Sequence, residues 1–208
     1  MHKATAQSTH ETSSRDLILK AVGELMTEKQ SVDVSLSEVG KKSGLNPALV
    51  NYYFGSKSRM MLELVIEVIG PSVERLDELL ALDISAAEKL ELHFKAIVNT
   101  YFNSPFVNRL LHRVSRIDDG AFAKELAEAI VIPMQEAERK ILEQGLEEGS
   151  FRKVDPMFFF FQVTGACDSI FHARYALEHA FGQKSVTKRM KDEYTKEFVE
   201  LVLRGITI

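Results

Sequence analysis

The sequence predicts an all-α protein of about nine helices. Apolar residues recur at spacings of three and four through most of the 208 residues, which is the helical period. Ser, Thr or Asp stands just ahead of segment after segment, followed by Glu three residues on or by Pro at the first helical position, the signatures of capped N-termini. The one run that tempts a strand assignment, Phe158 to Phe161, lies inside a capped stretch longer than ten residues, which favours a helix. No period of 20–50 residues repeats, so the chain is no solenoid.

Taken in order, the polar segment 1–13 has no apolar stripe and reads as a disordered arm. Ser14 starts a first helix with Leu17, Ile18, Ala21, Val22, Leu25 and Met26 on one face. Ser35 and Glu38 form a capping box for a second helix, which Gly44 ends. Asn46 caps a third, with Pro47 at its first position. Ser56 opens a fourth, where Gly70-Pro71 predicts a kink or break before the helix continues to Leu82. Ser85 and Glu88 form a second capping box for a helix to about Phe102, and Ser104-Pro105 opens the next, which runs to about Ile117. Asp118-Asp119-Gly120 punctuates. A long amphipathic stretch from Ala121 to Gly149 carries Pro133 as a kink. Asp155-Pro156 caps the most apolar helix, Met157 to Phe181, closed by Gly182. Thr187 starts the last, which ends at Gly205.

The stretch Ser35 to Lys57 is the most specific. It reads as two short helices joined by a tight Gly turn. In the second, Val50 and Phe54 make the buried stripe, and Ala48, Leu49 and Tyr52 fall on the other side with Asn51 at the edge. A helix presented in this way is how a small domain reaches the DNA major groove. An αα-hairpin used only for packing is the bland alternative.

From about Arg15 to about Leu64 the chain resembles the DNA-binding domain of the TetR family of bacterial transcriptional regulators. Ser35, Gly44, Leu45, Asn46, the pair Tyr53-Phe54 and Lys57 carry the likeness. Two positions depart from the family pattern: Lys29-Gln30 occupies a turn that usually holds Gly, and Asn51 replaces a frequent phosphate-contacting Tyr. The resemblance implies three helices for DNA over 14–56 and six for a ligand-binding and dimerisation body over 57–208. It also implies that the last two helices pair with their two-fold mates. The expected DNA contacts are Ser35, Pro47, Ala48, Leu49, Asn51, Tyr52, Tyr53 and Lys57. With no Arg or Lys on the recognition helix, apolar contact with thymine methyls is its main means of reading bases, and Asn51 can bond adenine.

Composition agrees. Hydrophobic residues are 45% and charged residues 27%, ordinary for a globular chain. Eight of the 26 Lys/Arg and six of the 30 Asp/Glu lie in residues 1–60, a balance of +2; the other 18 and 24 give the rest −6. A slightly basic head on an acidic body suits a protein that touches phosphates at one end. A single cysteine, Cys167, excludes an intrachain disulfide and favours a reducing compartment. The N-terminal segment lacks the apolar core of a signal peptide, and no run of about 18 apolar residues spans a membrane. The expected location is cytoplasmic, with no membrane partner.

In the body, Thr164, Asp168 and His172 stand four apart on one face of the Met157–Phe181 helix, with Tyr175 close by. Buried, such groups need partners. Three readings are open: pairing with each other or across an interface, lining a small-molecule pocket, or binding a metal. Arg109, His112, Arg113 and Arg116 span two turns of another helix. If part of that cluster faces inward an anionic ligand follows; otherwise Arg109 and Arg113 form a solvated basic face. Phe102 could supply an aromatic wall. The ligand candidates are therefore Phe102, His112, Arg116, Thr164, Asp168 and His172, with no cofactor or metal assigned.

Enzyme motifs are missing: no GxSxG, Walker A, HExxH or CxxC occurs, and Cys167 and His172, five apart on a helix, point away from each other. The sequence thus predicts a homodimeric, effector-responsive repressor on an inverted-repeat operator. Two alternatives stay open: an architectural or cell-division factor of the same fold without an inducer, and a helical ligand-binding protein with a degenerate DNA head.

Overall fold

The computed structural model describes residues 13–117 and 120–208; the expected arm 1–12 and the Asp118-Asp119 punctuation lie outside them. The chain is all-α. Its helices are α1 (Ser14–Lys29), α2 (Leu36–Ser43), α3 (Ala48–Phe54), α4 (Lys57–Glu74), α5 (Leu76–Ala81), α6 (Ala86–Asn103), α7 (Val107–Val114), α8 (Ala121–Leu126), a π segment (Ala127–Val131), α9 (Ile132–Glu147), α10 (Pro156–His172), α11 (Arg174–His179) and α12 (Lys188–Ile206). Among the described residues twelve α-helices stand where about nine are expected, because three long elements are each divided. The chain forms two compact units that meet in sequence between Met60 and Met61, within α4.

The first unit is built on its caps. Ser13 Oγ accepts from Asp16 N–H at 3.2 Å to start α1. Ser35 accepts from Glu38 N–H at 3.2 Å, and Glu38 reaches back to Ser35 N–H at 2.8 Å, completing the capping box. Gly44 takes φ +73°, as the turn requires. Asn46 Oδ1 accepts from Ala48 N–H at 2.9 Å and holds the start of α3. Ile18, Leu19, Val22, Met26, Val39, Val50 and Phe54 are buried and form the unit's core. The Lys29-Gln30 turn uses a left-handed Gln30, φ 53°, where a glycine would adopt that conformation at no steric cost.

In the second unit, α6 and α10 cross at the centre, flanked by α9 and α12. Leu90, Phe94, Val98, Ile141, Phe159, Val163, Cys167 and Phe198 interlock there. Phe151 is fully buried against Gly145, whose missing side chain leaves room for the ring. An isolated antiparallel bridge joins Phe151 to Thr207.

Three expectations need correction. Gly70-Pro71 does not break its helix: α4 runs through Pro71 to Glu74, and the interruption comes at Arg75. A proline crowds the Cβ of the preceding residue, and Gly70 has none, so the pair is compatible with helix. At Pro133 the distortion precedes the proline. Pro133 cannot donate to Ala129, and Ala127–Val131 widens into a π segment before α9 begins with Pro in its first turn. The helix expected over Met157–Phe181 stops at His172, where Ala173 turns to φ −83°, ψ 49° and α11 follows; nothing in the surrounding contacts explains that turn. Gly182, φ +67°, closes α11, with Gln183 N–H donating to Leu177 O at 2.9 Å. Gly205 lies inside α12, which ends one residue later.

Candidate functional site

Two places stand out, one in each unit. In the first, α3 commits Val50 and Phe54 to the core and leaves Pro47, Ala48, Asn51 and Tyr52 exposed, with Leu49 half-buried. Tyr52 is 78% exposed, which is high for a large ring on a short helix. Tyr53 is partly covered, packed edge-on against Tyr52 at 4.9 Å between centroids. Lys57 is the first residue of α4, where Ser56 Oγ accepts from Arg59 N–H at 3.0 Å. The Ser35 hydroxyl is engaged with Glu38 on both its donor and its acceptor side. Ser35 therefore fixes the start of α2, with its N–H also donating to Glu38 and its carbonyl accepting from Val39 N–H at 3.1 Å. Lys29 bonds to Glu38 at 2.8 Å, and together with Ser35 it pulls the Glu38 carboxyl down to about 2.

In the second unit a cavity of about 340 Å³ opens among α4, α6, α7, α10 and the π segment. Its wall is largely apolar: Ile69, Ile97, Leu111, Ile130, Met134 and Phe160 line it. Of the six ligand candidates, His112, Thr164 and Asp168 meet at this wall. Arg116 and His172 do not; they form an open cup beside it with Arg109, Arg113 and Ile117, and His112 belongs to both walls. Phe102 lines neither. It packs against Phe171, 6.4 Å between centroids, with the Lys191 ammonium over its ring. Its neighbour Tyr101, about 100° around the helix, faces the cavity instead and supplies the aromatic wall with Phe160 and Phe161.

The polar groups at the cavity are unevenly satisfied. Burial pushes the Asp168 carboxyl up, against a hydrogen bond from Asn108 and the attraction of His172 and His112. The partner of Asp168 is thus an amide on α7, not His172 one turn on. Asn108 Oδ1 and Thr164 Oγ1 are buried without partners. A buried pair missed by the sequence reading, His93 Nε2 and Glu138 Oε1 at 3.0 Å, ties α6 to α9, and His93 lines the cavity. Burial raises the Glu138 carboxyl, and its Oε2 has no partner. Neither residue carries a sequence signal of its own. Asn108 was findable, because it shares a helix face with His112. No group of three or more His, Cys, Asp or Glu that could hold a metal occurs among the described residues. Burial raises the Cys167 thiol well above its usual range, so it stays a thiol. No helix of the described residues is long and apolar enough to cross a membrane.

Comparison with known proteins agrees with this layout. Residues 83–208 match the family described as the tetracyclin repressor-like C-terminal domain. No curated protein matches the chain in sequence. Among solved structures, a TetR/AcrR-family transcriptional regulator of Thermobifida fusca superposes with a TM-score of 0.70 at 22% identity, over 92% of this chain and 97% of that one. The regulator FadR of Bacillus subtilis, in complex with stearoyl-CoA, gives 0.71 at 19%, over 91% and 98%. The ketosteroid regulator KstR2 of Mycobacterium tuberculosis gives 0.71 at 15%, over 96% and 97%. At such identities the likeness is one of fold; the match over 83–208 goes further, and by it the chain belongs to the TetR family of transcriptional regulators.

Proposed function

We propose that the chain is a cytoplasmic homodimeric repressor that binds an inverted-repeat operator through α2 and α3 and is released when a small molecule fills the cavity of its second unit. The observation that carries the reading is the outer face of α3. A seven-residue helix buries two side chains and leaves Ala48, Asn51 and Tyr52 to solvent, with an exposed Pro47 just ahead of it and a lysine at the next helix start. Among the described residues nothing in its own unit buries that face, and a major groove would. Lys57 and the backbone N–H groups at the start of α4 suit a phosphate, Tyr53 can offer its hydroxyl to a second, and Leu49 and Ala48 suit thymine methyls. Dimerisation is supported by α10, where Met157, Phe158 and Phe161 are 54%, 59% and 68% exposed in the single chain, and by Leu201 of α12, 73% exposed.

The cavity favours an effector-responsive regulator over an architectural factor that needs none. An effector acts through its different affinity for two dimer arrangements; the DNA-competent one sets the two α3 helices about 34–36 Å apart. The test is selection of bound fragments from genomic DNA by the purified protein, followed by footprinting. Two protected half-sites in inverted repeat, one dimer per site, are expected. A single protected half-site, or binding whose affinity ignores salt, refutes the reading and leaves a ligand-binding protein with a degenerate head.

A further inference from the structure

We infer that the effector is an amphipathic anion, with its apolar body in the cavity and its anionic head in the arginine cup that shares His112 with it. This rests on the effector reading above and specifies the ligand it requires. The described lining of the cavity includes neither Lys nor Arg, so a charged head buried inside it would lack a counter-charge. The cup next to it is the reverse. Arg109, Arg113, Arg116 and His172 line it, and no carboxylate is among its described lining residues, although Arg113 has a partner of its own. Among the described residues Arg109 and Arg116 form no ion pair. Arg109 Nε is buried without an acceptor. Burial, and repulsion from the Arg174 guanidinium, depress the Arg109 pKa, so Arg109 faces a second cation where an anion would relieve both.

On α7 and α10, the helices that border both the cavity and the cup, the cavity wall carries a polar patch, its neck. Thr164 Oγ1 and Asn108 Oδ1 belong to it as an unused donor and acceptor. They suit an ester, amide or hydroxyl linking a tail to a charged head. Asp168 does not turn the site toward cations. Its carboxyl already holds the Asn108 amide and lies near two histidines, and burial disfavours its charge.

The full-length protein is titrated with three probes below their aggregation concentrations: decyl phosphate, decanol and inorganic phosphate. Calorimetry at low salt should show decyl phosphate binding at least tenfold tighter than decanol, with the gap closing at 0.5 M NaCl and inorganic phosphate far weaker than either. Arg109→Gln with Arg116→Ala should bring decyl phosphate down to the affinity of decanol and leave decanol unchanged. Equal affinities for decyl phosphate and decanol in the parent protein, which needs no variant to fold, overturn the inference. So does a salt-independent gap, or failure of both tailed probes to bind. Operator binding is measured on the same preparation. Operator binding that persists while the probes fail to bind overturns the amphipathic anion alone. Decyl phosphate that binds as expected but leaves the operator complex intact upholds the site and refutes the effector role.

Discussion

Thr164→Val isolates one unused polar atom at the cavity wall. The hydroxyl Oγ1 is buried and has no partner among the described residues, and valine keeps the shape while replacing oxygen by a methyl. Leaving a buried hydroxyl unpaired costs about 1–3 kcal/mol, and a buried methyl gains up to about 0.8 kcal/mol over it. Threonine and valine have similar helix propensities, so α10 itself is neutral to the change. Thr164 is only half-buried as a residue and opens on a cavity, so the lower end of the range applies. The variant should gain about 1 kcal/mol, which raises the melting temperature by roughly 2–4 °C in a chain of this size. Differential scanning calorimetry of the ligand-free protein measures it, with the transition of residues 61–208 followed on its own, because two units need not melt together. Decyl phosphate should then stabilise the variant less than the parent, since the neck has lost its donor. A variant that melts lower than the parent means that solvent already satisfies the hydroxyl, and it removes the neck from the binding argument.

Four further outcomes follow from the same contacts. Lys57→Ala should weaken binding to every DNA sequence alike and lower the slope of log K against log salt by about one; unchanged slope removes the phosphate contact. Gln30→Gly should stabilise the first unit by about 0.5–1 kcal/mol in urea unfolding, the left-handed cost at φ 53° less the added chain entropy; a loss of stability shows that the Gln30 side chain holds the turn. Gly145→Ala should destabilise the second unit by about 1–3 kcal/mol, because its new Cβ would stand 2.0 Å from Phe151 Cδ2 in a fully buried site; a neutral result means the ring moves freely. The Glu38 carboxyl should titrate near 2 by NMR; being depressed, it contributes stability above its ordinary 4.5 that is lost as pH falls toward 2, and Lys29→Met should move its midpoint upward.

What the sequence made legible was local. Capping boxes at Ser35 and Ser85, the Gly44 turn and the Asn46 cap involve atoms three or four residues apart, and such atoms meet as their spacing says they must. The fold class followed, and so did the outward face of α3. Where two residue signals conflict, spacing is not enough: Pro71 looked like a kink or break because a proline removes a hydrogen bond and crowds the preceding turn, yet the helix runs through it, preceded by a Gly70 that has no Cβ to clash. The cavity was beyond reach for a different reason. His93 meets Glu138 across 45 residues, and Asn108 meets Asp168 across 60, and neither meeting has a periodic trace. The instructive case is the stripe Thr164, Asp168, His172. Helical spacing groups the three as one face, and they do share it, but the elements packed against that face change along its length. Thr164 and Asp168 look into the apolar cavity, while His172, at the end of α10, borders the arginine cup built by α7 and the turn after it. One face therefore touches a cavity with polar groups on its apolar wall and then a basic site, which is the order of parts in an amphipathic anion. Substitutions at the neck and at the cup, Thr164→Val and Arg116→Ala, should accordingly alter linker and head recognition separately, and a ligand series varied one part at a time would separate the two.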